Sequence, residues 1–267
     1  LDYCPTVFGP PPENRDYPKE YSMSRPVLLI AGGSRGIGAA TAKLAAGHGY
    51  DVAVNYKSNS NAAAAVVDAV KKGGGKAVAI QGDMALENDI ERVFDTASDT
   101  FGSLTHFVHS SGIIGEGSRL DEVSATTIRE VLDIDTFGAL LCLRACVRRM
   151  STKHGGKGGA VVMLSSMAAP LGGANECVWY AAAKAGVDSM VIGVSREVAK
   201  EGIRVNAITP GVIDTDIQPP GRIDRVLPML PMGRPGQANE VAEAILFLLS
   251  NAASYINGAN LRVSGAR

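Results

Sequence analysis

From Pro26 to the C-terminus, short β-branched runs alternate with longer Ala-rich segments of helical periodicity, and this alternation restricts the fold more than any other feature. Candidate strands are VLLIA at 27–31, VAVNY at 52–56, AVAI at 77–80, LTHFVHS at 104–110, AVVMLS at 160–165, RVNAI at 204–208 and ANLRV at 259–263. Helical patterns fill 61–72, 86–101, 124–151, 180–201 and 239–249, and the run AATAKLAA follows the first strand. Strands apolar on both faces belong in a parallel sheet covered on each side by helices, joined by right-handed crossovers. The expected fold class is therefore α/β, a doubly wound parallel seven-stranded sheet with helices on both faces. No solenoid-length repeat and no linker divides the pattern, so 25–267 is expected to form a single domain. Residues 1–24 are rich in Pro and charge and lack periodicity; they are expected to be an N-terminal extension outside the core, with Met23 as an alternative start.

Charge and cysteine usage exclude several function classes. With 26 basic and 27 acidic side chains and no cationic run, neither nucleic acid nor an anionic membrane surface is an expected partner. No apolar run approaches the roughly 20 residues that span a bilayer, and the N-terminus lacks the order of a signal peptide. Cys4, Cys142, Cys146 and Cys177 form neither a CxxC pair nor a disulfide framework, so no metal site is expected and a reducing cytoplasm is the simpler location. Cys142 and Cys146, one helical turn apart, read as small core residues.

The first strand runs directly into Ala31-Gly32-Gly33-Ser34-Arg35-Gly36-Ile37-Gly38. Glycines there permit a sharp strand-to-helix turn and bring backbone N–H groups close to a pyrophosphate, whose charge is favoured at a helix N-terminus. Gly32, Ser34, Arg35, Gly36, Ile37 and Gly38 are thus candidate contacts for a dinucleotide. An unmodified adenosine ribose is usually held by an acid about 20 residues further on, whereas a 2′-phosphate needs a cation instead. The second strand ends Val54-Asn55-Tyr56-Lys57-Ser58, with no carboxylate. Lys57 and Arg35 together therefore point to NADP(H).

Tyr180-Ala181-Ala182-Ala183-Lys184 opens a helix, and Ser165-Ser166 closes the strand before it. Residues four apart share a helix face, so the Lys184 ammonium is expected near the Tyr180 hydroxyl. A cation ~4 Å away is worth about 1–4 kcal/mol, on the order of one to three units off a phenol pKa of about 10. Tyr180 then serves as general acid or base at a carbonyl oxygen, and Ser166 holds that oxygen.

The spacing Gly32-x-x-x-Gly36-x-Gly38, the serine pair and YxxxK in this order resemble the short-chain dehydrogenase/reductase family, which has a Rossmann fold, and its glucose-dehydrogenase-like and 3-oxoacyl-(acyl-carrier-protein) reductase-like branch. The resemblance runs from about Val27 to Ser264. It implies adenosine contacts from Tyr56, Lys57, Asp83 and Met84, although Asp83 also reads as an N-cap of the following helix. It implies cofactor contacts from Ser111, Gly112, Tyr180, Lys184, Pro210 and Gly211, and nicotinamide amide contacts from the Ile213 main chain and the Thr215 hydroxyl. It further implies a substrate lid over about 214–235 and a homotetramer paired through the helices at 124–151 and 180–201. Four departures stand out. Asp135 occupies the place of an Asn that serves a proton relay, His109-Ser110-Ser111-Gly112 replaces NNAG, Ala31 replaces a Thr, and the interval from Ser166 to Tyr180 is one residue longer than in the commonest members. The activity implied is NADP(H)-dependent hydride transfer between a secondary alcohol and a ketone or aldehyde, with the small molecule as substrate. The alternative is a catalytically weak or inactive NADP(H)-binding regulator. Enoyl reduction is a rival within the family, but members performing it usually space Tyr and Lys more widely.

Overall fold

The computed structural model describes residues 25–267; the N-terminal extension at 1–24, with Cys4 and Met23, lies outside them. The chain runs β1 (Val27–Ala31), α1 (Gly36–Gly47), β2 (Asp51–Tyr56), α2 (Ser60–Lys72), β3 (Ala77–Gln81), α3 (Glu87–Phe101) and β4 (Leu104–His109). After these come α4 (Ala125–Leu132), a π-turn (Asp133–Gly138), α5 (Ala139–Met150), β5 (Gly159–Leu164), α6 (Ala168–Leu171) and α7 (Val178–Val198). Then follow β6 (Ile203–Pro210), β7 (Ile213–Asp214), α8 (Arg222–Val226), β8 (Gly236–Gln237), α9 (Ala238–Leu249) and β9 (Asn260–Val263).

Seven strands form one parallel sheet in the order β3-β2-β1-β4-β5-β6-β9. The winding reverses between β1 and β4, and at such a switch point a crevice opens beyond the carboxyl ends of the strands. The glycine turn leaves β1 there.

Strand residues divide between two cores by their alternation. Val27, Leu29 and Ala31 of β1 join Phe94 of α3, Leu143 of α5 and Val187 of α7 on one face. Leu28 and Ile30 join Ala42 of α1, Val66 of α2 and Ile245 of α9 on the other. Burying each Leu or Ile fully is worth about 1.5–3 kcal/mol, and a strand sealed on both sides takes a polar residue only where its hydrogen bonds are satisfied. Cys142 and Cys146 lie in the first of these cores, as small apolar fillers.

Two features depart from the expected pattern. The helix expected over 124–151 is interrupted by the π-turn at Asp133–Gly138, which carries Asp135 inward. Such wide turns shift the phase of a helix by one residue and concentrate at functional sites. Gly138 at its end packs so closely on the Met84 carbonyl that a Cβ has no room. The second feature is the pair β7–β8, which joins Ile213 to Gly236 and Asp214 to Gln237 and so brackets residues 215–235. Two residues are too few for any alternation to reveal a strand.

Candidate active site

The expected pyrophosphate cradle is built from the end of β1 and the start of α1. Gly32 has φ +71°, and a Cβ on it would stand 2.8 Å from the Ser111 nitrogen. Gly38 presses against the Gly32 carbonyl, again with no space for a side chain. These contacts bring the backbone of the turn against that of Ser110-Ser111 and leave the unpaired N–H groups of the first turn of α1 at the carboxyl end of the sheet. Ile37 is partly buried and packs against the core. Sequence reasoning missed the residue that holds the turn in place. The buried Asn55 side chain accepts from Gly32 N (3.2 Å) and donates to the carbonyls of Ile80 (3.3 Å) and Gly82 (3.0 Å), tying β1, β2 and β3 together at one end. The signal was a polar residue inside VAVNY.

Both cations expected at the adenosine end carry carboxylate partners. Arg35 Nη1 lies 2.7 Å from Asp216 Oδ2, and Lys57 Nζ lies 2.8 Å from Asp83 Oδ2, with the two basic side chains 66% and 63% exposed. Pairs this open are worth about 0–1 kcal/mol, so a phosphate dianion can displace them. The N-cap reading of Asp83 does not hold. Its Oδ1 accepts from Ala85 N (3.0 Å), closing a turn ahead of α3, which begins only at Glu87. The Met84 side chain is buried with its sulfur 3.8 Å from Cys142 Sγ, so the expected cofactor contact falls to its backbone.

At the other end of the crevice, α7 places Tyr180 and Lys184 on one face, with Lys184 Nζ 5.5 Å from the Tyr180 ring centre. Lys184 Nζ donates to the Leu164 carbonyl (3.1 Å) at the end of β5 and lies 3.1 Å from Asp135 Oδ2. The other carboxylate oxygen accepts from Ile113 N (2.9 Å). Ser166 Oγ accepts from Ala168 N (3.1 Å), which fixes its rotamer, while Ser165 Oγ donates to the Lys184 carbonyl (3.2 Å). Asp135 is 0% and Lys184 3% exposed, so this ion pair is dry.

Burial decides the proton affinities here. It pushes the Tyr180 phenol above its ordinary value; Lys184 and Ser166 pull it down, and Asp135 pushes it up again. The lowering expected from Lys184 alone is therefore reversed, because the sequence shows neither the dehydration nor the carboxylate that neutralises the ammonium. Burial pulls the Lys184 ammonium down, but Asp135 and Tyr180 outweigh it and hold the proton on. Burial likewise pushes the Asp135 carboxyl up against the pull of Lys184. His109, buried at the end of β4, is brought down to about 3 by burial and by Lys184, so it is neutral. Neither of its ring nitrogens has a partner among the described residues.

Residues 31–265 match the family model described as enoyl-(acyl carrier protein) reductase. The uncharacterized oxidoreductase YgfF of Escherichia coli is 43% identical over 245 residues, which cover 90% of this chain and 99% of that one. The chain belongs to the short-chain dehydrogenase/reductase family. A 3-oxoacyl-(acyl-carrier-protein) reductase of Synechocystis is 35% identical over 245 residues, covering 91% and 97% of the two chains. A short-chain dehydrogenase of Burkholderia cenocepacia solved in complex with NADP superimposes with a TM-score of 0.84 at 32% identity, covering 91% and 97%.

In this short-chain dehydrogenase/reductase the segment after β6 is strung between the two ends of the crevice. The Pro210 carbonyl accepts from Met167 N (3.0 Å), and Gly211 N donates to the Val263 carbonyl (3.0 Å). The Ile213 carbonyl accepts from Gln218 Nε2 (3.1 Å) and keeps a second lone pair for the expected amide contact. Thr215 sits with its methyl group over Gly36 of the turn. Beyond it, Glu176 pairs with Arg222 (3.1 Å) and Arg225 (2.7 Å) of α8, and Arg222 also donates to Gln218 Oε1 (2.6 Å). Sequence reasoning missed Glu176, Asp216 and Gln218, because each acts through a partner brought close only by the fold.

Proposed function

We propose that this short-chain dehydrogenase/reductase is an NADP(H)-dependent enzyme interconverting a secondary alcohol and a ketone or aldehyde. The observation that carries the reading is the convergence of Tyr180, Lys184 and Ser166 at the carboxyl end of the sheet that also holds the glycine turn, where Gly32 and Gly38 leave no room for a side chain. NADP(H) fits the other end, because β2 ends without a carboxylate and two displaceable cations, Arg35 and Lys57, stand at the turn. When bound, the nicotinamide supplies or accepts the hydride. Ser166 holds the substrate oxygen by a hydrogen bond, which strengthens as charge develops on it. Tyr180 gives its proton to that oxygen in reduction and takes one from the hydroxyl in oxidation. Lys184 keeps a positive charge beside the phenol and, in this reading, reaches the nicotinamide ribose. Thr215 and the main chain of Ile213 orient the ring, and residues 214–235 close over the substrate as a lid anchored by Glu176.

Among the described residues no helix is long and apolar enough to cross a membrane, and a cytoplasmic site of action is part of this reading. So is a homotetramer: Phe137 of the π-turn, Leu140 at the start of α5 and Ile192 of α7 present large exposed apolar side chains, which pairing between copies would cover.

The four-residue spacing of Tyr180 and Lys184 favours carbonyl over enoyl chemistry despite the description of the matching family model. The test is consumption of NADPH by the purified protein against ketones, diketones, sugars and an oxoacyl thioester, with the matched enoyl thioester alongside. Turnover is expected on a carbonyl class and not on the enoyl compound. Turnover on the enoyl compound alone contradicts the reading, and tight NADPH binding without turnover on any of them favours the regulator.

A further inference from the structure

We infer that Asp135 is a positioning residue: its carboxylate, fixed beside the Lys184 ammonium, adds to burial in keeping the proton on Tyr180 and moves the midpoint of the pH–rate profile upward. The inference rests on the function proposed above, and one arm of its test is independent of turnover.

The geometry leaves the pair little freedom. One carboxylate oxygen is 3.1 Å from Lys184 Nζ, and the other is held by Ile113 N at 2.9 Å. Lys184 is fixed from its far side by the Leu164 carbonyl. A Cβ on Gly112 would stand 2.9 Å from Asp135 Oδ2 and 3.2 Å from Lys184 Nζ, so the chain passes directly against both ions. With Asp135 0% exposed, no water layer screens the charges, and the low local dielectric strengthens their attraction.

Tyr180 therefore faces an ion pair, not a lone cation. A free ammonium ~4 Å away would favour the phenolate by about 1–4 kcal/mol, but a carboxylate fixed just behind it cancels much of that field. The other groups packed around the site do not replace the lost charge. His109, from β4, is neutral; Asp188, from α7, is half-buried against Asn260 at 2.7 Å and acts on Lys184 as a further negative charge. Cys177, before α7, also raises the phenol, whereas Ser166 contributes only a hydrogen bond. In the family's usual arrangement a neutral Asn stands where this chain has Asp135, so the carboxylate is a property of this chain.

The consequence concerns the proton, not the equilibrium. In reduction Tyr180 Oη gives its proton to the carbonyl oxygen as the cofactor's hydride reduces the carbonyl carbon, and the phenolate is reprotonated from solvent. The ratio of the two directions at any one pH is fixed by the overall equilibrium. Asp135 moves the midpoint that both directions share, so that the resting site already holds the proton reduction needs.

The test is the isosteric variant Asp135→Asn in the full chain with NADP(H), with rates of reduction and oxidation followed against pH on one ketone and its alcohol. Both midpoints are expected to fall by about one pH unit, a tenfold change in the phenolate fraction at neutral pH. Midpoints that stay in place, or rise, overturn the inference. An ultraviolet difference titration of wild type against Tyr180→Phe reads the phenol directly, whether or not Asp135→Asn folds and whether or not a substrate is known. The tyrosinate band of Tyr180 is expected only above the ordinary phenol range of about 10. A band rising near neutral pH overturns the role given to Asp135, while absence of turnover with the band in the expected range overturns only the proposed function.

Discussion

Tyr180→Phe is expected to lower kcat by about 10²–10⁴, the range that a positioned general acid contributes, while NADPH affinity stays near that of the wild type. The substitution removes one oxygen and keeps the ring, which is packed with Val131, Trp179 and Ala183 in a small core of its own. The hydrogen bond from Trp179 Nε1 to the Ile114 carbonyl (2.7 Å) involves neither ring edge nor hydroxyl of Tyr180 and should persist. The substrate oxygen then meets Ser166 as a hydrogen-bond donor but no proton donor of suitable strength. Comparing single-turnover rates with fluorescence titration of NADPH separates the two effects. Wild-type turnover in the variant would remove Tyr180 from the mechanism.

The second large effect is expected at the adenosine end. In the double variant Arg35→Ala, Lys57→Ala, NADPH affinity should fall by roughly 30- to 1000-fold and NADH affinity should change little. Each charge-assisted contact with a phosphate contributes about 1.5–3 kcal/mol. Against this stands the release of Asp216 and Asp83, which occupy the two cations at 2.7 and 2.8 Å and cost about 0–1 kcal/mol each to displace from exposed pairs. Once the cations are gone those carboxylates remain and repel the 2′-phosphate, which adds to the loss. The difference between the nucleotides should shrink as salt is raised, since the site is open to solvent. Equal losses for NADPH and NADH would contradict the phosphate clamp.

Much of the architecture was legible because buried parallel strands permit almost nothing but apolar residues. Val27–Ala31 is sealed on both faces, and its sequence VLLIA shows it. The glycine turn and the Tyr180–Lys184 spacing were legible for a related reason: local geometry dictates residue type at fixed short intervals. What escaped was decided at long range. Arg35 and Asp216 pair across 181 residues of chain, and nothing local marks Asp216 as the partner of Arg35. The π-turn was hidden because a one-residue change of phase barely disturbs an apolar stripe that resumes in Leu141, Cys142 and Ala145. The direction of the Tyr180 shift was misjudged because a sequence shows the cation one helical turn away but not the burial, nor the carboxylate that Asp133–Gly138 turns toward Lys184.

The central claim is that this site moves a hydride between NADP(H) and a carbonyl carbon, and isotope transfer tests it most directly. NADPH labelled with deuterium on one or the other face of nicotinamide C4 is incubated with the wild-type protein and each carbonyl compound of the panel, and the alcohols are analysed by mass spectrometry. One deuterium at the carbinol carbon, delivered from one labelled face only, is the expected result, because Thr215 and the main chain of Ile213 would present a single ring face to the oxygen held by Ser166 and Tyr180. Tight NADPH binding with no label in any alcohol would contradict the claim and leave a nucleotide-binding regulator.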